Sequence, residues 1–532
     1  MVSGMLVLPI YKQNLNKTNR IRMNQSKGCP TFHPAGKFSA VILLVPREIK
    51  PQEGRVALLP DGAREILEYT KEEDIDLEIY IESGAGALSG ATDEDYLRAG
   101  ARIAPNRETL EAIGDEAAKK GLNVIILKVK EPLDIEVQGR RINEFSYLGP
   151  GKILYTFFHF AFDREMTERI LKSGVSCVAL EAIEGDASIC PLLDKGFIEK
   201  KGFLVPEPVR QLKLRKGKTH VCLDPMSIVA GIEAVLQVLI YINKDKEKIV
   251  KEEVKGDWQR RNRILEGYHH LPEGENLEEK HILITGGGTA GLASAWMALR
   301  LGATVTITDT KENIDALKEI FKDGIKDKKV EIVQSPDLHT PEGFEQMVRL
   351  LENSEAAIGA ALVPAGKAPL TINKKAIIKA SDKSPKRRVF IDIAIDQGGN
   401  LEFVKPDKTV VIEPKEKMTY HYKPVRVGYG KSIFYLVANM PGGPGVICRV
   451  ASEMLQAARL PYIKLMLHGL KEAAYRDEGF AKGISILAGK LIDRRVGEEF
   501  GIEWFDISQS RFAKVSYSSP PPIPDPQKPL TG

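Results

Sequence analysis

The feature that most constrains this chain is a glycine-rich turn between an apolar strand and a helix. In the segment HILITGGGTAG, residues 281–291, the apolar run ends at a turn that carries Gly286, Gly288 and Gly291, and the helical stretch ASAWMALRLG follows. Such a strand–turn–helix unit is typical of dinucleotide binding, because the glycines let the backbone approach a pyrophosphate and the helix N-terminus supplies unpaired N–H groups. The alternative is an ordinary glycine turn of an α/β protein.

The acidic residue Asp309 supports the dinucleotide interpretation. It closes the next apolar run, ATVTITD, at about the 20-residue spacing expected for the carboxylate that binds the ribose hydroxyls. A carboxylate there favours NAD over NADP, since it would repel the additional phosphate. Lys311, two positions on, leaves NADP open.

Bulk properties exclude several other classes of protein. A chain of 532 residues is too long for one hydrophobic core, so at least two domains are expected. The net charge of +4 is spread along the chain, which gives no case for nucleic acid. We find no apolar run long enough to cross a bilayer. The five cysteines lie far apart without a CxxC pair, which argues against a metal site and fits a cytoplasmic protein.

Helix and strand patterns alternate along the chain, which predicts an α/β fold with parallel sheets covered by helices on both faces. The predicted strands are 39–49, 77–83, 123–130, 152–160, 176–183, 303–309, 356–362 and 388–395. The predicted helices are 61–73, 93–101, 163–174, a long apolar helix near 226 and a helical segment after 445. The charged stretch 243–263 is interpreted as a solvated insertion.

Two cations suit a substrate that carries a carboxylate and a carbonyl. Arg55 lies in EGRVALLP, and Lys130 lies in KVKEP at the end of an apolar strand. Ligands of open parallel sheets collect beyond such strand ends, and both cations can hold a carboxylate. Taken alone, each is more often a surface residue.

Two further groups could serve acid–base chemistry. His159 ends a predicted strand within the aromatic run YTFFHFAF, and an imidazole can carry the proton that accompanies hydride transfer. Asp396 follows an apolar strand in DIAIDQGG, where a carboxylate could orient water or the histidine. The alternatives are a core histidine and a simple turn aspartate.

These segments resemble the alanine dehydrogenase and transhydrogenase-like family from about residue 40 to about 500. The resembling segments are VPREI…EGRVALLP (45–60), ESGAGALSGATDEDY (82–96), KVKEP (128–132), GKILYTFFHFA (151–161), DPMSIVAG (224–231), GGGTAG (286–291), ALVPAGKAP (361–369), DIAIDQGGN (392–400) and VANMP (437–441).

The resemblance implies roles for individual residues. Arg55 and Lys130 would bind the substrate carboxylate and carbonyl oxygen, His159 would be the acid/base, and Asp396 would assist at the substrate carbon. The remaining implied positions are Ser227 by the pyrophosphate, Asn439 and Met440 near the nicotinamide, and Glu181 beside the active site.

The resemblance also implies two doubly wound domains, with a Rossmann NAD-binding domain inserted into a substrate domain. The expected division is a disordered basic extension (1–38), a substrate domain (39–225 and 445–515), an NAD domain (226–444) and a Pro-rich tail (516–532). A transit peptide, or a start at Met5 or Met23, is the alternative for the first segment.

The expected activity is NAD-dependent oxidative deamination of a small L-amino acid by a homo-oligomer, hexameric by resemblance. One alternative is a transhydrogenase subunit with a membrane partner, and another is a catalytically silent NAD-binding protein. His159 and the turn AIDQGG favour the dehydrogenase. The segments 185–220, 242–280 and GGPGVICRVAS (442–452) depart from the family, which makes alanine less secure as the substrate.

Overall fold

The structure is a computed structural model that describes most of the chain between residues 40 and 506. The described ranges are 40–50, 53–137, 139–188, 190–201, 203, 205–243, 276–362, 367–404, 425–438 and 448–506. The predicted basic extension, the predicted Pro-rich tail and nearly all of the charged stretch 243–263 lie outside them.

Helices and strands alternate along the described chain. The strands are β1 Val41–Val45, β2 Leu77–Glu82, β3 Arg102–Ala104, β4 Asn123–Leu127, β5 Asp134–Val137, β6 Arg140–Asn143, β7 Lys152–Thr156, β8 Ser176–Ala179, β9 Glu184–Asp186, β10 Lys218–His220, β11 His281–Thr285, β12 Thr304–Asp309, β13 Val330–Gln334, β14 Ala356–Gly359, β15 Arg387–Asp392, β16 Val425–Tyr429, β17 Ser432–Ala438, β18 Ile484–Leu487 and β19 Lys490–Leu491.

The α-helices cover the sheets and connect their strands. They are α1 Pro60–Glu72, α2 Asp93–Arg98, α3 Arg107–Lys119, α4 Arg164–Ser173, α5 Lys195–Lys201, α6 Glu207–Lys216, α7 Leu223–Asn243, α8 Thr289–Arg300, α9 Lys311–Ile320, α10 Lys322–Lys326, α11 Pro341–Glu352, α12 Lys374–Lys383, α13 Cys448–Met466, α14 Leu470–Arg476, α15 Glu478–Ala481 and α16 Arg494–Phe500.

The first sheet has eight strands in the order β19-β18-β8-β7-β4-β1-β2-β3. The strands from β3 to β8 run parallel, and β18 joins β8 antiparallel. The order of the strands reverses between β1 and β4, which makes a crevice beyond their carboxyl ends the expected ligand position.

The second sheet has seven strands in the order β13-β12-β11-β14-β15-β17-β16. All neighbours are parallel except β16 and β17 at one edge. Its strands lie in the chain between β8 and β18, so the second sheet is inserted into the sequence of the first. The predicted α/β class with two doubly wound, mainly parallel sheets is confirmed.

One hydrophobic core joins the two sheets. It contains one face of each sheet together with apolar residues of α7 and α13, and the opposite face of each sheet packs on a smaller core of its own. Burial on both faces explains why the central strands appear in the sequence as unbroken apolar runs such as VILLV.

Several strands are shorter than the runs that predicted them. The run 123–130 is a strand only over Asn123–Leu127, and the run 152–160 only over Lys152–Thr156. Beyond these ends Lys128 and Phe157 still donate to the neighbouring strand, but side-chain carboxylates accept the next N–H groups, those of Val129, Phe158 and His159. Within the described ranges, no helix combines the length and apolar character that a membrane crossing requires.

Candidate active site

The glycine turn after β11 has the geometry that a dinucleotide needs. Gly286 adopts a φ of +106°, and a Cβ on it would lie 2.6 Å from the backbone nitrogen of Ala361. A Cβ on Gly291 would lie 1.8 Å from the carbonyl oxygen of Gly286, so helix and strand touch there. A Cβ on Gly288 would meet nothing within 4 Å, which leaves space for a phosphate.

Asp309 lies at the end of β12 beside this turn. Its Oδ2 accepts from the N–H of Gly287 at 2.6 Å, and its Oδ1 accepts from the N–H of Thr310 at 2.6 Å and Nδ2 of Asn313 at 2.9 Å. These bonds fix the carboxylate at the edge where the motif requires a ribose acceptor.

The start of α7 is bound to the start of α8 through Asp224. Its carboxylate accepts from the hydroxyls of Thr289 at 2.7 Å and Thr219 at 2.6 Å, and it pairs with Lys213 at 2.8 Å. Burial alone would raise the pKa of Asp224, but Lys213 and the hydroxyl donors hold it below its usual value. Ser227 lies less than one turn further along α7 and is half-buried.

Beyond β4, buried charges hold the segment that carries Lys130. The carboxylate of Glu48 accepts from the N–H of Val129 at 2.6 Å and from the N–H of Lys130 at 3.4 Å. Lys128 donates to Glu48 at 3.0 Å and to Glu144 at 2.8 Å. The side chain of Lys130 is buried, so the alternative of a surface lysine is wrong.

Helix α13 binds the carboxyl edge of the first sheet, near the ends of β4 and β7. The guanidinium of Arg459 is fully buried and donates to the carbonyl oxygens of Lys128 and Tyr155, each at 3.1 Å. Ser452 of this helix accepts from the N–H of Val56 at 3.1 Å. The returning chain therefore fixes the ends of β4 and β7.

His159 follows β7 in a left-handed backbone conformation, with a φ of 53°. The carboxylate of Glu181 accepts from its N–H at 2.7 Å and from the N–H of Phe158 at 3.1 Å. The imidazole stacks on the ring of Phe157 with 6.3 Å between centroids. A non-glycine residue rarely adopts this conformation, and these contacts hold the ring beyond the strand end.

A turn of the second sheet reaches this imidazole. Nε2 of Gln397 lies 3.1 Å from Nδ1 of His159, and Gln397 is 3% exposed. Asp396 belongs to the same short turn, Ile395–Gln397, and its side chain lies outside the described part of the structure.

Glu131 connects the predicted lysine with the predicted histidine. Burial alone would raise its pKa, but Lys50, Lys130 and His159 lower it below its usual value. Lys50 forms an ion pair with Glu131 at 2.5 Å. Lys130 and His159 therefore both act electrostatically on one carboxylate.

Arg55 is buried, which contradicts the surface alternative, and it is paired within the chain. Nε donates to Oε1 of Glu53 at 2.7 Å, and Nη2 donates to Oε2 of the same carboxylate. Nη1 lies 3.1 Å from the sulfur of Met226, at the start of α7. Although burial opposes it, Glu53 raises the pKa of Arg55.

Sequence reasoning missed four groups that surround the predicted residues. Glu131 and Gln397 stand beside predicted residues in the motifs KVKEP and DQGG, and Glu53 stands two positions before Arg55. Glu48 in VPREI had no signal beyond its position after a strand. The predicted Asn439 and Met440 lie outside the described residues, after the end of β17.

Two mainly parallel sheets, one of which carries the glycine turn and its aspartate, define a two-domain nucleotide-binding protein of the oxidoreductase type. Sequence models of the alanine dehydrogenase/PNT family match this chain with their N-terminal domain over residues 44–195 and their C-terminal domain over 273–494. The chain belongs to the alanine dehydrogenase/PNT family.

Relatives support this membership along most of the chain. Alanine dehydrogenase of Halomonas elongata is 30% identical over 466 residues, which cover 87% of this chain and 98% of the relative. Alanine dehydrogenase of Staphylococcus haemolyticus is 29% identical over 467 residues, which cover 88% of this chain and 98% of the relative.

Two solved structures share the fold. An L-alanine dehydrogenase is 25% identical, with a TM-score of 0.58 and coverage of 86% of this chain and 99% of that chain. A transhydrogenase from Sinorhizobium meliloti is 17% identical, with a TM-score of 0.52 and coverage of 85% and 99%. The second likeness concerns the fold alone.

Proposed function

We propose that this protein is an NAD-dependent dehydrogenase that oxidatively deaminates a small L-amino acid, L-alanine first, to the 2-oxo acid and ammonium. The observation that carries the proposal is the contact of His159, at the carboxyl edge of the first sheet, with Gln397 of the second, together with the buried Lys130 just beyond the end of the neighbouring strand β4. The relatives named alanine dehydrogenase support the same reaction.

The residues present fit a dinucleotide. The open face of Gly288 would take the pyrophosphate, and Asp309 would accept from the ribose hydroxyls, which favours NAD. Ser227, Asn439 and Met440 are proposed cofactor contacts on the resemblance alone. When bound, NAD⁺ would accept a hydride from the substrate Cα.

The chain's own residues would bind the substrate and move protons. Lys130 would hold the carboxylate or the developing carbonyl oxygen. Arg55 already gives two nitrogens to Glu53, so a substrate carboxylate would approach Nη1, on the side of Met226. Loss of hydride leaves an iminium carbon that water attacks with loss of a proton. The carbinolamine that forms takes up a proton on its nitrogen and breaks its C–N bond, which releases ammonia and leaves the 2-oxo acid. His159 would accept the proton that this water releases, with Asp396 proposed to orient the water.

The division into domains is a proposal of the same kind. Pairing of β18 with β8 supports assigning 445–515 to the substrate domain with 39–225, and the strands of the second sheet all lie within 226–444. A homo-oligomer, hexameric by resemblance, and a cytoplasmic location also stay predictions.

The test is a substrate panel with NAD⁺ and NADP⁺ side by side. We expect NADH formation with L-alanine, the reverse reaction with pyruvate and ammonium, and weaker turnover with NADP⁺. His159→Ala should lower kcat about 100- to 10,000-fold, the usual contribution of a general acid or base. If no small amino acid or 2-oxo acid turns over, the proposal is wrong; hydride exchange between nucleotides would then indicate the transhydrogenase, and binding without turnover a silent protein.

A further inference from the structure

The contact between Gln397 and His159 joins the two sheets at one nitrogen of the imidazole. Nε2 of Gln397 lies 3.1 Å from Nδ1 of His159, and the glutamine is buried. A buried hydrogen bond to one ring nitrogen decides which nitrogen carries the proton and how the ring is turned. The contact therefore bears directly on the proposed acid–base role.

The rest of the ring is already constrained from its own sheet. Glu181 holds the backbone of His159, and Phe157 stacks on the imidazole with an interplanar angle of 11°. Gln397 adds a hydrogen bond at Nδ1 from the second sheet.

A carboxamide suits this position because it can donate or accept. In the present orientation its NH₂ group faces Nδ1, and its Oε1 is buried without a hydrogen bond from any described residue. A half-turn about the Cγ–Cδ bond would replace this contact with one from Nδ1–H to Oε1. The second arrangement serves the neutral imidazole that carries its proton on Nδ1, which leaves the lone pair on Nε2, and also the protonated imidazole, whose charge strengthens the bond.

We propose that Gln397 is a positioning residue whose Oε1, in this second arrangement, accepts from Nδ1–H of His159 in the neutral and the protonated imidazole alike, so that Nε2 is the nitrogen that exchanges a proton with substrate. This inference rests on the proposed function and deepens it. Because the two residues belong to different sheets, the base is fully oriented only while the loops after β7 and β15 are in contact.

Kinetics of two variants test the proposal. Gln397→Leu keeps the volume and removes both hydrogen-bonding groups, and we expect kcat with L-alanine to fall about 10- to 100-fold, as for other partners of a catalytic ring. KM should change by less than about threefold, since the leucine leaves the substrate cations in place. Gln211→Leu on the surface of α6 is the matched control and should behave as wild type.

The pH profile of Gln397→Glu distinguishes a positioning role of Gln397 from simple packing, because packing alone would leave the profile unchanged. A carboxylate at Nδ1 favours the protonated imidazole, so the limb of kcat/KM that requires a neutral base should move to higher pH by about one unit. The charged groups already facing His159 are Glu131, with its partners Lys50 and Lys130, and Glu181. They are unchanged in this variant.

A measurement independent of turnover separates this inference from the proposed function. Nitrogen-15 NMR of the imidazole, assigned by its loss in His159→Gln, reports which ring nitrogen carries the proton. We expect this signal to change in Gln397→Leu. An unchanged signal, or a wild-type kcat and pH profile in both variants, would overturn the positioning role while leaving the dehydrogenase intact.

Discussion

Gly288 and Gly291 stand three positions apart in one turn, yet a methyl group on each would meet different surroundings. At Gly291 it would lie 1.8 Å from a backbone oxygen that cannot move alone. At Gly288 it would meet nothing within 4 Å, and the residue has the ordinary φ of −77°. The packing of the fold therefore requires a glycine at position 291 but not at position 288, where we propose that the open space admits the pyrophosphate.

The paired variants Gly291→Ala and Gly288→Ala should separate these needs. Gly291→Ala should lower the free energy of unfolding by about 1–3 kcal/mol, the usual cost of overpacking. Gly288→Ala should unfold as wild type but bind NADH roughly tenfold more weakly, a loss of about 1.4 kcal/mol. Denaturant unfolding and NADH titration measure the two effects. Wild-type NADH affinity in Gly288→Ala would show that no pyrophosphate approaches this face.

At this scale the sequence predicted the residue types better than their partners. Lys130 and His159, both predicted from their positions after parallel strands, each lower the pKa of Glu131, and their convergence on one substrate stays a prediction. Glu53 could not be foreseen as the partner of Arg55, because an apolar strand followed by charged residues does not show which charges will pair when buried. No role was predicted for Gln397, because its partner His159 is more than 200 positions away in the chain.

Among the elements, apolar runs predicted the central strands of both sheets but not where they end, and edge strands such as β3, β13 and β18 were not predicted. The sequence of β7 continues in aromatic residues, yet the strand ends at Thr156, and the carboxylate of Glu181 accepts the N–H groups of Phe158 and His159. Glu48 accepts the N–H of Val129 beyond β4 in the same way. A hydrophobic pattern contains no information on a carboxylate that follows another strand and accepts these N–H groups. The strands were therefore predicted too long.

In the segment between β8 and α7, polar contacts link helix α6 to the start of α8. Helix α6 lies at residues outside both family matches, and its Lys213 reaches the carboxylate of Asp224, which in turn binds Thr289 at the start of α8. The segment 185–220, which departs from the family, is therefore linked through Asp224 to α8, the helix that follows the glycine turn.

Asp224→Asn should lower the free energy of unfolding by about 3 kcal/mol at neutral pH, the usual cost of breaking a buried ion pair. A carboxyl whose pKa is lowered by folding stabilises the fold above its unfolded value, about 3.9, and loses that contribution as pH falls through the folded value. The difference between variant and wild type should therefore shrink below about pH 4.

Urea unfolding of both proteins across pH measures this difference. Lys216→Met, on the exposed side of α6, the helix that carries Lys213, serves as the control and should change the free energy of unfolding by less than about 0.5 kcal/mol. A difference that stays constant from neutral to acid pH would contradict the ion-pair account.

On the scale of the whole molecule, the two sheets repeat one arrangement. From β3 through β8, and from β13 through β17, the strand order begins at the third strand and reverses after the first. The alternation of helices and strands predicted this class of fold. The core shared by the two sheets was not predictable, because it depends on which faces of α7 and α13 pack together.

The placement of the chemistry follows from this arrangement. The glycine turn lies at the reversal point of the second sheet, and Glu48 and Lys130 lie at that of the first. His159 and Gln397 bring the two edges into contact. We propose that a hydride passes from a substrate at one edge to a nicotinamide held at the other.

The most direct measurement of this claim follows the fate of the substrate hydrogen. The enzyme is given L-alanine deuterated at Cα together with NAD⁺, and the NADH is analysed by proton NMR and mass spectrometry. We expect one deuterium at C4 of the nicotinamide, on a single face, with pyruvate as the other product. NADH without deuterium, or no NADH at all, would contradict the claim.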